Sequence, residues 1–490
     1  MPIYSPAVTT SLTSIGQPSG SLPPVALLRS SIARRLAAAP PWLVLAIAWV
    51  VLVLYAFPGQ MTQDSWDHLT EARKGVFTDG HPPVIDLLFR WADYVIAGPF
   101  LMLVLQSVPL LIGLYLIFRQ TFPARRAAWL TLGLYVFPPV MMPMAVIWKD
   151  SLMAGFLALG LGALLGERRR SVRLLGLGAM FVASAVRYNA FAATLPLIVL
   201  GFTWRPEPSA LKRYAIATGT WLAITFAAFG ANKLLTDKPM YIWHSSLAVY
   251  DIVGTLTYVD GELPDAELEQ LLAGTDLLVH HDIHRTMRAL YTPRDFLPIV
   301  NDAKLALWAL PINGIEPAPA RVRDAVARAW WEVITSHAGA YVRHRLAVTG
   351  AVLSFGSTRV AGAVTKRDAF RWPAYVHEMG QGTGWSKLQG KWTRGVTWIW
   401  RNTPVFVPWI YALVSLVLIP LAWRHRDVLA LLLSGLVFES TLVLLAPSPD
   451  YRYSHWMVVT ACIAIVVLTA RRSRAARSRG PGPAAPEPAA

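Results

Sequence analysis

Ten apolar stretches recur along the chain, at 41–57, 98–118, 127–147, 150–166, 172–186, 190–203, 214–235, 405–423, 428–446 and 455–470. A chain with so many has few ways to fold. In lipid every backbone polar group must be satisfied within the segment, and for isolated stretches that means a helix. Crossing the hydrocarbon core takes about 20 residues. The shorter stretches, such as 172–186 and 190–203, reach that length only by drawing in polar flanks, tilting or breaking. Charged residues make up 15% of the chain and mean hydropathy is +0.43, against about 25% charge in an ordinary soluble domain. The expectation is an all-α polytopic membrane protein with about ten transmembrane helices. Many of its aromatic residues fall near the ends of the apolar stretches, as in interfacial belts.

The basic residues say which way the chain runs. Formal charge is +16, which in a soluble protein raises the question of nucleic acid. Here the cations form short clusters between apolar stretches and no nucleic-acid motif is present. Arg34-Arg35, Arg119 with Arg125 and Arg126, Arg168 to Arg170, Arg205 with Lys212 and Arg213, Arg424 with Arg426, and Arg471, Arg472 and Arg474 share one side if every stretch spans. The positive-inside rule makes that side cytoplasmic. The other side receives loop 58–97, the turns at 147–150 and 186–190, segment 236–404 and loop 446–454.

The domain reading follows. Residues 1–40 form a disordered cytoplasmic tail, and the first apolar stretch is a retained anchor, being too long and lacking a small-residue cleavage site for a removable signal. Residues 41–235 form a transmembrane module with an acidic first outer loop. Residues 236–404 form a mostly helical extracytoplasmic domain, with amphipathic patterns such as ARVRDAVARAWWEVITSHAGAYVRHRL. Residues 405–470 are C-terminal transmembrane helices, and 471–490 a basic, then disordered, cytoplasmic tail. Cys462 is the sole cysteine, so no intrachain disulfide forms.

Four short outer connections hold polar residues close to a membrane face: Asp64 and Asp67 with Asp79-Gly-His81-Pro-Pro, then Trp148-Lys149-Asp150, then Arg187-Tyr188-Asn189, then Asp450-Tyr-Arg452-Tyr453. Charge near a bilayer is costly and tends to pair or to line a polar cavity. A carboxylate can deprotonate an attacking hydroxyl, and Lys or Arg can hold a departing phosphate. Blander accounts stand beside this one. Asp64 and Asp67 also suit solvated loop acids, with Asp64 a candidate N-cap for a helix through Trp66–Lys74. Lys149 suits a snorkelling cation, Asp150 an N-cap, and Arg452 an interfacial anchor between tyrosines. Arg187 is harder to explain without a partner anion. His280, His281 and His284 with Asp282 could share a helix face, but they lack the HExxH pattern and read better as solvated. There is no P-loop, GxSxG or Rossmann fingerprint.

Taken in order, QDSWD, GHPP, WKDSLMAG, R-Y-N and DYRY resemble the bacterial GT-C glycosyltransferases, the membrane superfamily of protein O-mannosyltransferases and lipid A aminoarabinose transferases. The likeness covers residues 41–235 and, more loosely, 405–470. It implies inverting transfer of a sugar from a polyprenyl-phosphate donor to an envelope glycan, lipid or protein acceptor, at the outer face of the bacterial inner membrane. The family's base maps to Asp64, with Asp67 as runner-up, and a second acid to Asp150. The donor phosphate falls to Lys149, Arg187 and Arg452, with His81 placed to contact it. Asp79, Tyr188, Asn189, Asp450 and Tyr453 are supporting residues. The first loop is spaced D-x-x-D rather than D-x-D or D-E, which leaves the base and any divalent cation open; no cofactor is assigned. The rival readings are an O-antigen polymerase or ligase using a diphosphate-linked donor, a lipid-linked-sugar transporter, and a non-catalytic scaffold.

Overall fold

The computed structural model describes residues 38–166, 169–201, 209–277, 283–302, 317–356 and 386–478. The chain divides into two units, residues 1–40 and 41–490. Residues 1–37 and 479–490, where disordered tails are expected, lie outside the described residues, as do His280, His281 and Asp282. His284 is described, and its Nε2 lies 3.0 Å from the Leu263 carbonyl.

Each of the ten apolar stretches is mostly helical over its described residues. In chain order the first helices are α1 (Pro41–Ala56), α2 (Gln63–Lys74), α3 (Pro83–Val95), α4 (Phe100–Arg119) and α5 (Ala124–Tyr135). Then come α6 (Pro138–Met144), α7 (Lys149–Gly166), α8 (Arg170–Val186), α9 (Ala190–Gly201) and α10 (Ala210–Leu235). No strand occurs among the described residues; two isolated bridges do, Gln60 with Val146 and Thr78 with Lys238. Among the described residues four helices are long and apolar enough to cross a membrane, Phe100–Arg119, Ala210–Leu235, Arg426–Leu445 and Tyr451–Ala476, or five if the bent pair Ala124–Tyr135 and Pro138–Met144 is one span. Large apolar side chains stay exposed around the outside, among them Trp42, Leu54, Leu174, Leu211 and Phe226, as on a surface that faces lipid.

The stretch 127–147 is not one straight span. It breaks into α5 and α6, which meet at 72°. Pro138 and Pro139 are the cause: they restrict the residue before them, and Phe137 takes an extended ψ of 123°. The Pro-Pro pairs at 82–83 and 138–139 therefore open helices, Pro83 at the start of α3 and Pro138 at the start of α6.

Glycines set the closest approach in the bundle. A Cβ on Gly113 of α4 would collide with the Ala158 backbone of α7, and one on Gly155 of α7 with the Gln106 carbonyl. This small-residue contact lets helices pack closely where apolar side chains gain little by leaving lipid. Gln106, buried among the apolar residues of α4, donates to the Met144 and Val146 carbonyls at 2.9 and 2.8 Å. It fixes the short extended stretch that leads into α7.

Within 236–404 the structure separates two parts. Helices α11 (Leu247–Thr257), α12 (Asp265–Leu271), α13 (Ile283–Leu290), α14 (Ala320–Ser336) and α15 (Ala338–Val352) share a hydrophobic core distinct from that of the long helices. At its centre Asp251 accepts from Trp330 Nε1 at 2.9 Å, lies 3.1 Å from His344 Nε2 and is ion-paired to Arg345. Arg345 also donates to the Ala446 carbonyl at 3.0 Å, which joins this part to the loop 446–454. Helix α16 (Lys387–Asn402) instead packs its Trp392, Val396, Ile399 and Trp400 into the core of the long helices.

The chain ends with α17 (Pro408–Ala422), α18 (Arg426–Leu445) and α19 (His455–Ser478). The last helix runs beyond the expected limit at 470. Arg471 pairs with Asp427 of α18 at 2.5 Å and Arg474 donates to the Thr121 carbonyl at 2.5 Å. These contacts hold the basic ends of α4 and α19 together, opposite the end that carries the candidate site.

Candidate functional site

At one end of the long helices α1, α8 and α18 finish and α7, α9 and α19 begin. The four outer connections meet there. Helix α2 starts at Thr62, whose backbone N–H donates to Ser65 Oγ at 3.1 Å. Thr62, not Asp64, is the N-cap; Asp64 lies in the first turn, where a carboxylate favours the helix dipole. Two bonds clamp this turn to the entry of α7: Ser65 Oγ donates to the Ile147 carbonyl at 2.6 Å and Trp148 Nε1 to Thr62 Oγ1 at 2.9 Å. The acidic turn therefore sits against Lys149 and Asp150.

Loop 446–454 supplies the guanidinium that ties the cluster together. Asp450 accepts from the Arg452 N–H at 3.2 Å and opens a short turn, Tyr451–Ser454. Arg452 Nη1 meets Asp64 Oδ2 at 2.6 Å, while its Nε lies 3.0 Å from Asp450 and 3.9 Å from Asp150. Trp148 and Tyr453 flank its cationic plane at 5.0 and 5.3 Å. Arg187, between α8 and α9, pairs with Asp150, whose side chain is fully buried. Its Nε donates to Asn189 Oδ1 at 2.9 Å, and Asn189 is held by Thr441 Oγ1 at 2.7 Å. Phe438 and Tyr453 lie over the Arg187 guanidinium. Lys149 differs from both arginines: its nearest hydrogen-bond partner is His81 Nδ1, at 2.8 Å.

The charges follow from this geometry. Burial alone would raise the Asp64 pKa, but the Arg452 guanidinium, His81 and Lys149 together outweigh it and hold the carboxyl well below the usual carboxylate range. Burial, opposed by the Gln63 amide and reinforced by the Asp64 charge, pushes Asp67 up to about 6. Burial, with the Lys149 charge adding to it, holds His81 well below the ordinary imidazole value. An ammonium can only donate, so His81 Nδ1 accepts and the ring proton sits on Nε2.

Asp64, Asp150, Lys149, Arg187, Arg452, His81, Asn189, Asp450 and Tyr453 thus belong to one connected cluster. The other three are held by contacts outside its ion pairs. Asp67 is held by Gln63 Nε2 at 2.8 Å. Asp79 accepts from the Met240 N–H and so ties the first outer loop to the chain after α10. The exposed Tyr188 reaches the Asp79 and His81 carbonyls at 3.4 and 3.3 Å. Among the described residues no group of three His, Cys, Asp or Glu side chains converges as metal ligands.

No protein-family model, curated protein or solved structure matches this chain.

Two partners of the cluster carry no sequence signature. His68 Nδ1 meets Asp86 Oδ1 at 2.5 Å, both side chains are buried, and the His68 ring lies 4.6 Å from that of His81, tilted at 48°. Glu439, in the apolar part of α18, accepts from Ser454 Oγ at 2.7 Å behind the Arg452 turn. The Asp86–His68 pair backs His81 and so Lys149. Replacing His68 by Ala strands the buried carboxyl, at a cost of roughly 1–3 kcal/mol. Asp86→Asn keeps a hydrogen-bond acceptor and is expected to cost less. Thermal unfolding of both purified variants checks the ordering, and a larger loss for Asp86→Asn would refute it.

Proposed function

We propose that this chain is a membrane glycosyltransferase of GT-C type that moves a sugar from a polyprenyl-phosphate donor to a hydroxyl acceptor on the outer face of the bacterial inner membrane. One observation carries the reading: Asp64 is partly exposed and contacts Arg452 within a cluster that also holds Lys149 and Arg187. A carboxylate beside fixed cations at the end of a helix bundle suits a reaction that removes a proton at one point and releases an anion at another.

In this reading the acceptor oxygen attacks the anomeric carbon as the bond from that carbon to the phosphate oxygen breaks. The electron pair leaves with the polyprenyl phosphate, the acceptor proton passes to Asp64, and the configuration inverts. Lys149, whose partner is an imidazole rather than a carboxylate, is the cation with most to offer the leaving phosphate. Arg452 adds a fork that can grip it in bidentate fashion. Arg187 and Asp150, buried and stacked, position that machinery. The ten mostly helical stretches and the cations gathered at the opposite end support a topology that puts the site outside.

The test is transfer of labelled sugar by purified protein in lipid, from monophosphate-linked and diphosphate-linked donors in parallel. Turnover of the first alone supports this reading. Turnover of the second alone would assign the chain to the polymerase and ligase class instead.

A further inference from the structure

Helix α16 carries a pattern that the transfer reaction does not use. Lys387, Lys391, Arg394, Trp398 and Arg401 follow a 4-3-4-3 spacing, which sets them on one stripe of the helix. Trp392, Val396, Ile399 and Trp400 occupy the opposite face, packed into the core of the long helices. The four cations are exposed, Trp398 is 63% exposed, and the helix contains no acid. Beside the stripe lies a groove of about 830 Å³ lined by Thr393, Arg394, Thr397, Trp398 and Arg401, among others.

The helix lies at the same end of the bundle as the candidate site. Gln389 Nε2 donates to the Tyr55 and Phe57 carbonyls, where α1 ends, at 2.9 and 3.2 Å. Just beyond α16, Phe406 packs edge-on against Tyr451 at 5.3 Å. With the basic clusters on the cytoplasmic side, this is the side on which the positive-inside bias leaves few cations. A basic stripe there, with an amphipathic helix and an exposed Trp, has the chemistry of a headgroup site.

We propose that the α16 stripe and its groove bind the phosphate head of an anionic lipid in the adjacent leaflet. The Arg394 and Arg401 guanidinium groups receive the phosphate, Trp398 sits at headgroup level, and the lipid tail enters the bilayer beside the exposed apolar side chains of α1. The proposal needs only that the chain sits in a membrane and is independent of the transferase reading.

The experiment is native mass spectrometry of the full-length protein released from nanodiscs of phosphatidylcholine with phosphatidylglycerol. Wild-type protein is expected to retain phosphatidylglycerol over phosphatidylcholine. The Lys391→Gln/Arg394→Gln double variant is expected to lose that retention by about thirtyfold, while Lys233→Gln, on α10, leaves it unchanged. Arg394→Lys is expected to keep part of it, and melting curves confirm that the variants are folded. Should the double variant not fold, Arg394→Gln alone decides. Equal retention of the two lipids, or equal loss in Lys233→Gln, would overturn the site. Displacement of the lipid by millimolar inorganic phosphate would show a free-phosphate site and overturn the lipid assignment.

Discussion

Replacing Asp64 by Asn is expected to lower sugar transfer about 10²- to 10⁴-fold, the range a positioned general base supplies. Asn keeps the shape and the hydrogen bond but cannot take a proton. The loss should be catalytic rather than structural, because Arg452 keeps Asp450 at 3.0 Å and Asp150 at 3.9 Å when Asp64 is neutralised. Asp67→Asn is expected to cost less than about tenfold, since Asp67 contacts Gln63 rather than the cations. The pH profile separates the two acids independently. Asp64, held well below the usual range, stays ionised throughout the neutral region, so a reaction that uses it has no acid limb near pH 6. Asp67, raised to about 6, loses its base form as pH falls through that value. A base there would give a rate that drops tenfold per unit on the acid side. A wild-type limb near 6 that disappears in Asp67→Asn would move the base to Asp67. Full activity in both variants would end the transferase reading.

The second large effect is on stability. Asp150 is fully buried and Arg187 nearly so, and they pair beneath the site. Truncating one partner of such a pair leaves the other charge stranded, typically at a cost of about 3–5 kcal/mol. Arg187→Ala is expected to lose stability of that order, because Arg452, the other cation paired with Asp150 among the described residues, is 3.9 Å away. Replacing both, as Arg187→Met with Asp150→Leu, should recover most of the loss, since the desolvation of both charges disappears with them. The comparison is read by thermal unfolding in detergent. Additive losses in the double variant would mean that the two residues are not coupled.

The helices were legible because lipid leaves an apolar stretch no other regular structure, and all ten stretches are mostly helical over their described residues. Pro138 and Pro139 mark the break at Phe137, as prolines that end helices would, although the stretch 127–147 otherwise reads as one span. The four connections could be grouped on one side because Arg and Lys mark the other. Their meeting in one cluster depends on contacts that no spacing encodes, such as Ser65 with Ile147, 82 residues apart, and Arg452 with Asp64, 388 apart. His68 and Asp86 escaped notice for the same reason. Helix α16 falls within the stretch 236–404 that the sequence groups as one polar block, yet it packs against the long helices. Its spacing separates an apolar face that belongs with α1 from a basic face that does not.

The contact between Arg452 and Asp64 also bears on the order of events. While the guanidinium holds the carboxylate, its negative charge is spoken for and it is a poor proton acceptor. A donor phosphate that takes hold of Arg452 competes for the same fork, and in doing so releases Asp64. Arrival of the donor would then arm the base, and an acceptor hydroxyl meeting the enzyme alone would find it disarmed. The mechanism is expected to be compulsorily ordered, donor before acceptor, with little wasteful reaction between visits. Initial-rate and product-inhibition kinetics would reveal the sequence, and random addition would show that the ion pair is no interlock.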